Sequence, residues 1–253
     1  MSSDRQPEWP SWVAELLGEL TVDVPGIAPV SGVYLHGSLV LDDFQDGRSD
    51  LDVVVLLAEP LTPAAEQQLV AWHSRSRAAR AAALHVSYVG QRRLDELDRV
   101  HPRWAHQRWE RKPVSVHART ELHHCGIALL GPAAGTTFAA VDSQLYGREI
   151  RAEAANYWLP KTRGLLRWRD DIWVDIGLTS AVRAQAALAG EPVISKSAAI
   201  ERLPGLGVPD WLVADLRDRR HRLQPSSTRS RLRRALVARR EVARLFAPIA
   251  RDS

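Results

Sequence analysis

Residues 33–57, VYLHGSLVLDDFQDGRSDLDVVVLL, constrain this chain more than any other stretch. Two apolar runs flank a polar loop that carries Asp42, Asp43, Asp46 and Gly47. The second run, VVVLL at 53–57, has no polar face and reads as a buried central strand. Along a strand, residues two apart share a face, so Asp50 and Asp52 project together while Leu51 and Val53 go to the other side. Two adjacent carboxylates repel each other and are stable as a pair only around a cation. A hard divalent ion such as Mg²⁺, which favours oxygen ligands, fills that place. Just upstream, Gly37 lets the backbone approach a ligand closely, and Ser38 adds a hydroxyl and an N–H suited to phosphate. A Gly-Ser pair alone is an ordinary turn, and Asp-x-Asp alone is a solvated strand end. Together, at this spacing and ahead of a buried strand, they point to phosphoryl or nucleotidyl transfer.

The pattern resembles the Gly-Ser, Asp-x-Asp signature of the DNA polymerase β-like nucleotidyltransferases. Composition is compatible with that. The 253 residues, 45% hydrophobic and 25% charged, are those of a folded globular chain. Of 34 basic residues only Lys112, Lys161 and Lys196 are lysine, and the net charge of +4 suits an anionic small molecule such as ATP without implying nucleic acid. A single cysteine, Cys125, excludes an internal disulfide. No run has the length of a membrane span, and residues 1–12 carry no signal pattern, so a cytoplasmic monomer is expected.

Residues 11–20 place Trp12, Val13, Leu16, Leu17 and Leu20 at helical spacing with Ser11 as N-cap, and residues 24–31 read as a loop. A second helix starts at Pro63 under a Thr62 cap and runs through Leu69, Val70 and Trp72 into an Ala/Arg-rich stretch around 75–83. Residues 84–90, LHVSYVG, alternate as a half-buried strand, with Leu84, Val86 and Tyr88 on one face and His85 and Ser87 on the other. In the fold that the resemblance implies, the third strand carries an acid facing the aspartate pair, and His85 stands at that position. A lone histidine is most simply a hydrogen-bonded residue. An imidazole can also accept a proton from a substrate hydroxyl near neutral pH, the general-base role that a carboxylate would otherwise fill.

Residues 94–121, with Trp104, Arg108, Trp109, Arg111 and His117, show no periodicity and read as short helices and loops. The spacings of His101, His106, His117, His123, His124 and Cys125 match no zinc pattern. An apolar strand at 127–130 ends in a Gly131-Pro132 turn. From Asp142 the chain reads as helical, over 145–159, 171–189, 209–219 and 227–245, the last with Leu232, Ala235, Leu236, Val242 and Leu245 on one side. Pro160, Gly190-Glu191-Pro192, Pro204-Gly205 and Pro225-Ser226-Ser227 punctuate these helices. The expected architecture is α+β: a nucleotidyltransferase domain with a mixed sheet over 1–141, then an all-helical domain over 142–253.

LHGSLVLDDFQDGRSDLDVVV, CGIALLGPAAGTTF and LTSAVRAQAALAGEPVISKSAAIERL occur in an order and at a spacing similar to those of the aminoglycoside 3''/9 adenylyltransferases, which modify streptomycin and spectinomycin. The resemblance covers most of the chain. It implies that Gly37 and Ser38 hold phosphate, Asp50 and Asp52 hold Mg²⁺, and Arg183 and Lys196 bind the ATP phosphates from the helical domain. It implies transfer of AMP from ATP to a hydroxyl of a cationic aminoglycoside-like acceptor. His85 departs from the family's catalytic Glu. The acceptor-contacting Trp and acids align poorly, with Trp158, Asp170, Asp171 and Asp175 as the nearest residues; acidic groups there would suit a polycation, and equally a helix start with surface pairing. The alternatives are a nucleotide-binding regulatory protein that has lost its base, and transfer to another acceptor such as RNA. The second has as its support only the arginines of the last helix (Arg229, Arg231, Arg233, Arg234, Arg239, Arg240), which spread around the helix and read as a solvated surface.

Overall fold

The computed structural model describes residues 9–75, 81–222 and 231–251. The 76–80 part of the Ala/Arg-rich stretch, the Pro225-Ser226-Ser227 turn, Arg229 and the expected helix start at 227 lie outside the described residues. The chain divides into two compact units, Met1–Ala140 and Val141–Ser253. The first is α+β around a mixed sheet and the second is helical, as the sequence predicts.

In the first unit the order is α1 (Ser11–Ile27), β1 (Val30–His36), β2 (Leu51–Leu57), α2 (Pro63–Arg75), β3 (Leu84–Gly90), β4 (His101–Ala105), β5 (Arg108–Lys112), α3 (Val116–Cys125), β6 (Ile127–Leu130) and the short α4 (Ala134–Thr137). The strands form one sheet in the order β5-β4-β3-β2-β1-β6. Only β2 and β3 are parallel; the other neighbours are antiparallel. A parallel pair needs a crossover, and α2 lies on it. That helix starts as expected, with Pro63 first and Thr62 Oγ1 accepting the Ala65 N–H at 3.1 Å.

Alternation along the strands sorts the sheet into two faces. Val33, Leu35, Leu51, Val53, Val55, Leu57, Val86 and Tyr88 pack against Val13, Leu16, Leu17, Leu20 and Val24 of α1. Tyr34, Val54, Leu56 and Val89 pack on the opposite face against Leu122 of α3, Ala134 and Phe138. From Val53 to Leu57 every residue of β2 is buried, so that part of the strand has no polar position.

In the first unit the structure departs from the sequence expectations at three points. Helix α1 continues through Pro25 to Ile27 where a loop was expected, and Pro10 rather than Ser11 occupies the N-cap position. Proline removes one backbone donor from the helix, and the burial of Val24 beside it holds the last turn in place. Residues 94–121 form the β4–β5 hairpin and α3 instead of short helices and loops. The hairpin turn is His106–Gln107, both with positive φ (51° and 58°). Two-residue turns of this hand normally carry Asn-Gly or Asp-Gly, so the sequence gives no turn signal here.

In the second unit α5 (Ser143–Glu153) runs through a π-helical turn, Ala154–Trp158, into α6 (Leu159–Lys161), followed by α7 (Asp171–Leu188), α8 (Lys196–Arg202), α9 (Asp210–Arg222) and α10 (Arg231–Arg251). Helices α7 and α10 pack together, burying Val174, Leu178, Ala181 and Val182 and, from α10, Ala235, Ala238, Val242, Leu245 and Phe246. Leu232 and Leu236, expected on the inner side of α10, are exposed, and Arg234 and Glu241 are buried in their stead. Among the described residues, no helix is long and apolar enough to cross a membrane.

Candidate active site

Strand register assembles the polar centre of the first unit. Asp52 of β2 pairs with His36 at the end of β1 on one side and with His85 near the start of β3 on the other. Residues directly opposite share a face, so His36, Asp52 and His85 form a row across three strands on the side covered by α3. Asp50 lies two residues before Asp52 and is half exposed, at 49%, against 28% for Asp52. The structure thus brings the two aspartates and His85 together. His85 Nδ1 stands 3.8 Å from Asp50 Oδ2 and 3.6 Å from Asp52 Oδ1, while the side chain is 5% exposed. Its other nitrogen, Nε2, is buried with no hydrogen-bond partner. The ring of His106, at the hairpin tip, meets it edge-on at 4.5 Å.

Gly37 follows His36 directly, with φ at +77°. A Cβ on Gly37 would lie 2.6 Å from Asp52 Oδ2. Only glycine lets the backbone take this conformation and come this close to the carboxylate. Gly37 and Ser38 open a 3₁₀ turn ending at Leu39, and Ser38 O accepts the Asp43 N–H at 3.0 Å. Further along the loop, Ser49 Oγ accepts the Gln45 N–H at 2.9 Å and the Trp12 indole donates to Asp46 at 3.2 Å, which ties the loop to α1.

A third acid joins from α3. Glu121, 6% exposed, receives His36 Nδ1 at 3.2 Å on one oxygen and His117 Nε2 at 3.0 Å on the other. Burial pulls the His36 pKa down, but the Glu121 hydrogen bond and the charges of Asp52 and Glu121 outweigh it, so the net shift is upward. For Asp52, burial pushes the pKa up; the His85 imidazole beside it and the charges of His36 and His85 outweigh that and hold the carboxyl below its usual range. Sequence reading missed Glu121 and the part His36 plays beside it. The one local signal was the i, i+4 spacing of His117 and Glu121, since the His36–Glu121 pair spans 85 positions.

The second unit receives the remaining expected residues. Arg183, on α7, donates from Nε to the Ile194 carbonyl at 3.0 Å, which places it beside the segment leading into α8. Lys196 is the first residue of α8 and is exposed, with Ser195 Oγ capping the helix by accepting the Ala198 N–H. Trp158 is 4% exposed, stacked on Phe246 at 5.3 Å and bonded through its indole to Glu153. Asp175 pairs with Arg219, itself 2% exposed and also paired with Asp215. Asp171 pairs with the buried Arg234. Asp170, at the N-cap position of α7, is exposed.

Among the described residues, no group of three or more His, Cys, Asp or Glu side chains is drawn together so as to hold a metal ion. No family model and no curated protein matches the sequence. Among solved structures there is a match. The fold is similar to that of a spectinomycin adenyltransferase. The crystal structure is that of AAD(9) from Enterococcus faecialis with ATP and spectinomycin, at a TM-score of 0.65 and 11% sequence identity, covering 94% of this chain and 98% of that chain. At that identity the likeness is one of fold.

Proposed function

We propose that this chain is a nucleotidyltransferase that moves AMP from ATP to a hydroxyl of an aminoglycoside or aminocyclitol such as streptomycin or spectinomycin. The observation that carries this reading is the close set of Asp50, Asp52 and His85 against the Gly37–Ser38 turn. A neighbour of the same fold, solved with ATP and spectinomycin, supports it.

The residues fit Mg²⁺. That ion takes one or two carboxylates, keeps several waters and completes its shell with substrate phosphates, so it needs no cage of protein ligands. Asp50 and Asp52 supply two carboxylates with one side open to solvent, and the missing Cβ of Gly37 leaves room at Asp52 Oδ2. Those two aspartates would hold the ion, which when bound neutralises phosphate charge. Gly37 and Ser38 offer backbone and hydroxyl groups to the phosphates. His85 Nδ1, on the side of the aspartates, takes the proton of the attacking hydroxyl. The hydroxyl oxygen forms its bond to the α-phosphorus, the bond from that phosphorus to the bridging oxygen breaks, and pyrophosphate leaves. Asp170 is the exposed acid of the four acceptor-side residues and would meet a cationic acceptor, with Asp171 beside it.

A second reading, a nucleotide-binding protein without transfer chemistry, is favoured by the His85 ring. If Nδ1 carries its hydrogen toward Asp52, the accepting nitrogen is Nε2, which is buried and beyond reach of a substrate. Pyrophosphate release with ATP and Mg²⁺ across streptomycin, spectinomycin and other aminoglycosides, with Asp50→Asn as the blank, decides between the two. Drug-dependent release that vanishes in the blank is expected. Calorimetric ATP binding without release under any drug selects the second reading, and His85→Glu would then restore transfer.

A further inference from the structure

Glu121 is an expensive residue to keep where it is. A carboxylate 6% exposed under a sheet loses its hydration, and an apolar side chain of the same size would fill the space at no such cost. Its two oxygens are divided between two imidazoles of different standing. His117, on the same helix one turn earlier, is 37% exposed and lies at the surface. His36 is 14% exposed and ends β1, where the next residue is Gly37. A Cβ on Gly37 would lie 2.6 Å from Asp52 Oδ2, so the turn holding Ser38 sits directly against that carboxylate. What fixes the front end of the turn therefore fixes how Ser38 and its N–H meet a phosphate. Helix α3 packs on β1 and is itself anchored: Ser115 Oγ caps it by accepting the Ala118 N–H, and the buried Arg119 donates to the Val114 and Leu94 carbonyls. It is a rigid mount for a tether.

We propose that Glu121 is a positioning residue: held on α3, it grips His36 and thereby sets the His36–Gly37–Ser38 turn against Asp52, so that nucleotide affinity depends on a side chain acting only through another. This rests on the nucleotidyltransferase reading for its ligand, ATP, but not for its geometry. It separates the two imidazoles on one carboxylate. His36 transmits to the turn, and His117 does not.

The test is a double-mutant cycle read by calorimetry of ATP with Mg²⁺ on the full chain: Glu121→Gln, His36→Asn, both together, and His117→Gln. Each of the first two weakens ATP binding about tenfold, the double variant is no weaker than His36→Asn alone, and His117→Gln stays within about twofold of wild type. Additive losses in the double variant would show that Glu121 does not act through His36. An equal loss in His117→Gln would reduce Glu121 to general structural support, and an unchanged Glu121→Gln would overturn the proposal outright. Amide chemical shifts and hydrogen exchange at Ser38 and Leu39 give a second readout that needs no nucleotide. They move in Glu121→Gln and stay put in His117→Gln. If wild type binds no ATP, the nucleotidyltransferase reading fails, and this readout still upholds or overturns the tether.

Discussion

Three acids around the candidate site of the first unit and three aspartates of the second span overlapping degrees of exposure but differ in partner. Asp50, Asp52 and Glu121 have imidazoles as the neighbours described above, whereas Asp171, Asp175 and Asp215 face the guanidiniums of Arg234 and Arg219. Arginine keeps its charge at every working pH and grips a carboxylate through a planar fork, so the pair is closed and behaves as a joint of the fold. Imidazole changes protonation near neutrality and meets a carboxylate through one nitrogen. In the proposed site the nature of the partner separates the two carboxylates offered to a ligand, Asp50 and Asp52, from those that hold helices together.

Exchanging the two kinds of acid for amides gives the largest effects and the sharpest break. Asp52→Asn is expected to lower drug-dependent transfer by about a thousandfold while the thermal midpoint stays within a few degrees. Asp175→Asn, which leaves Arg219 short of a partner, is expected to lose about 3 kcal/mol in urea unfolding and to keep the kcat of the folded fraction. The opposite pattern would end the distinction.

A buried imidazole with no carboxylate against it sharpens the comparison. His73 bonds Tyr88 OH at 2.8 Å and stacks on Trp104 at 4.8 Å, and burial pulls its pKa from 6.5 to about 3. Between those values the unfolded chain binds a proton that the folded chain does not. Stability therefore falls as pH drops below 6.5 and is insensitive to this group above it. From pH 6.5 to 5 the loss from His73 is about 2 kcal/mol, and His73→Phe is expected to remove that part of the slope in urea unfolding at pH 7, 6 and 5. An identical slope in the variant would mean that His73 is already charged in the fold.

The smallest effect falls where an acid is exposed. Asp170→Asn is expected to raise the KM for a polycationic acceptor about threefold with kcat unchanged, while Asp171→Asn, beside it but paired with Arg234, acts on stability. A change in kcat at Asp170 would place it among the residues that touch the reacting atoms.

The sequence carried the local part of this site and not the part made by distant segments. Asp50 and Asp52 share a side because strand alternation is a local rule, and His85 could be placed opposite them because β3 has a clean period of two. Glu121 was illegible: its partner lies on β1, and α3 sits in a stretch whose Trp, Arg and His residues hide both the hairpin and the helix. The burial of Trp158 was illegible for a different reason. An ordinary helix was expected over 145–159, and the π turn at Ala154–Trp158 adds a residue to the repeat, which changes the direction of the side chains that follow and puts the indole against Phe246. The arginines of α10 looked like a solvated surface, but Arg234 is buried because Asp171 and the Arg169 carbonyl receive it, two partners more than sixty positions upstream.

Position 37 has an alphabet of one letter. Every side chain begins with a carbon that would collide with Asp52 Oδ2, and the backbone there has the left-handed twist that other residues resist. Drift in the loop after it, in the hairpin or on the acceptor side leaves that collision unchanged. In this chain the aspartate at 52 and the glycine at 37 are thus linked by geometry, independently of the residues around them.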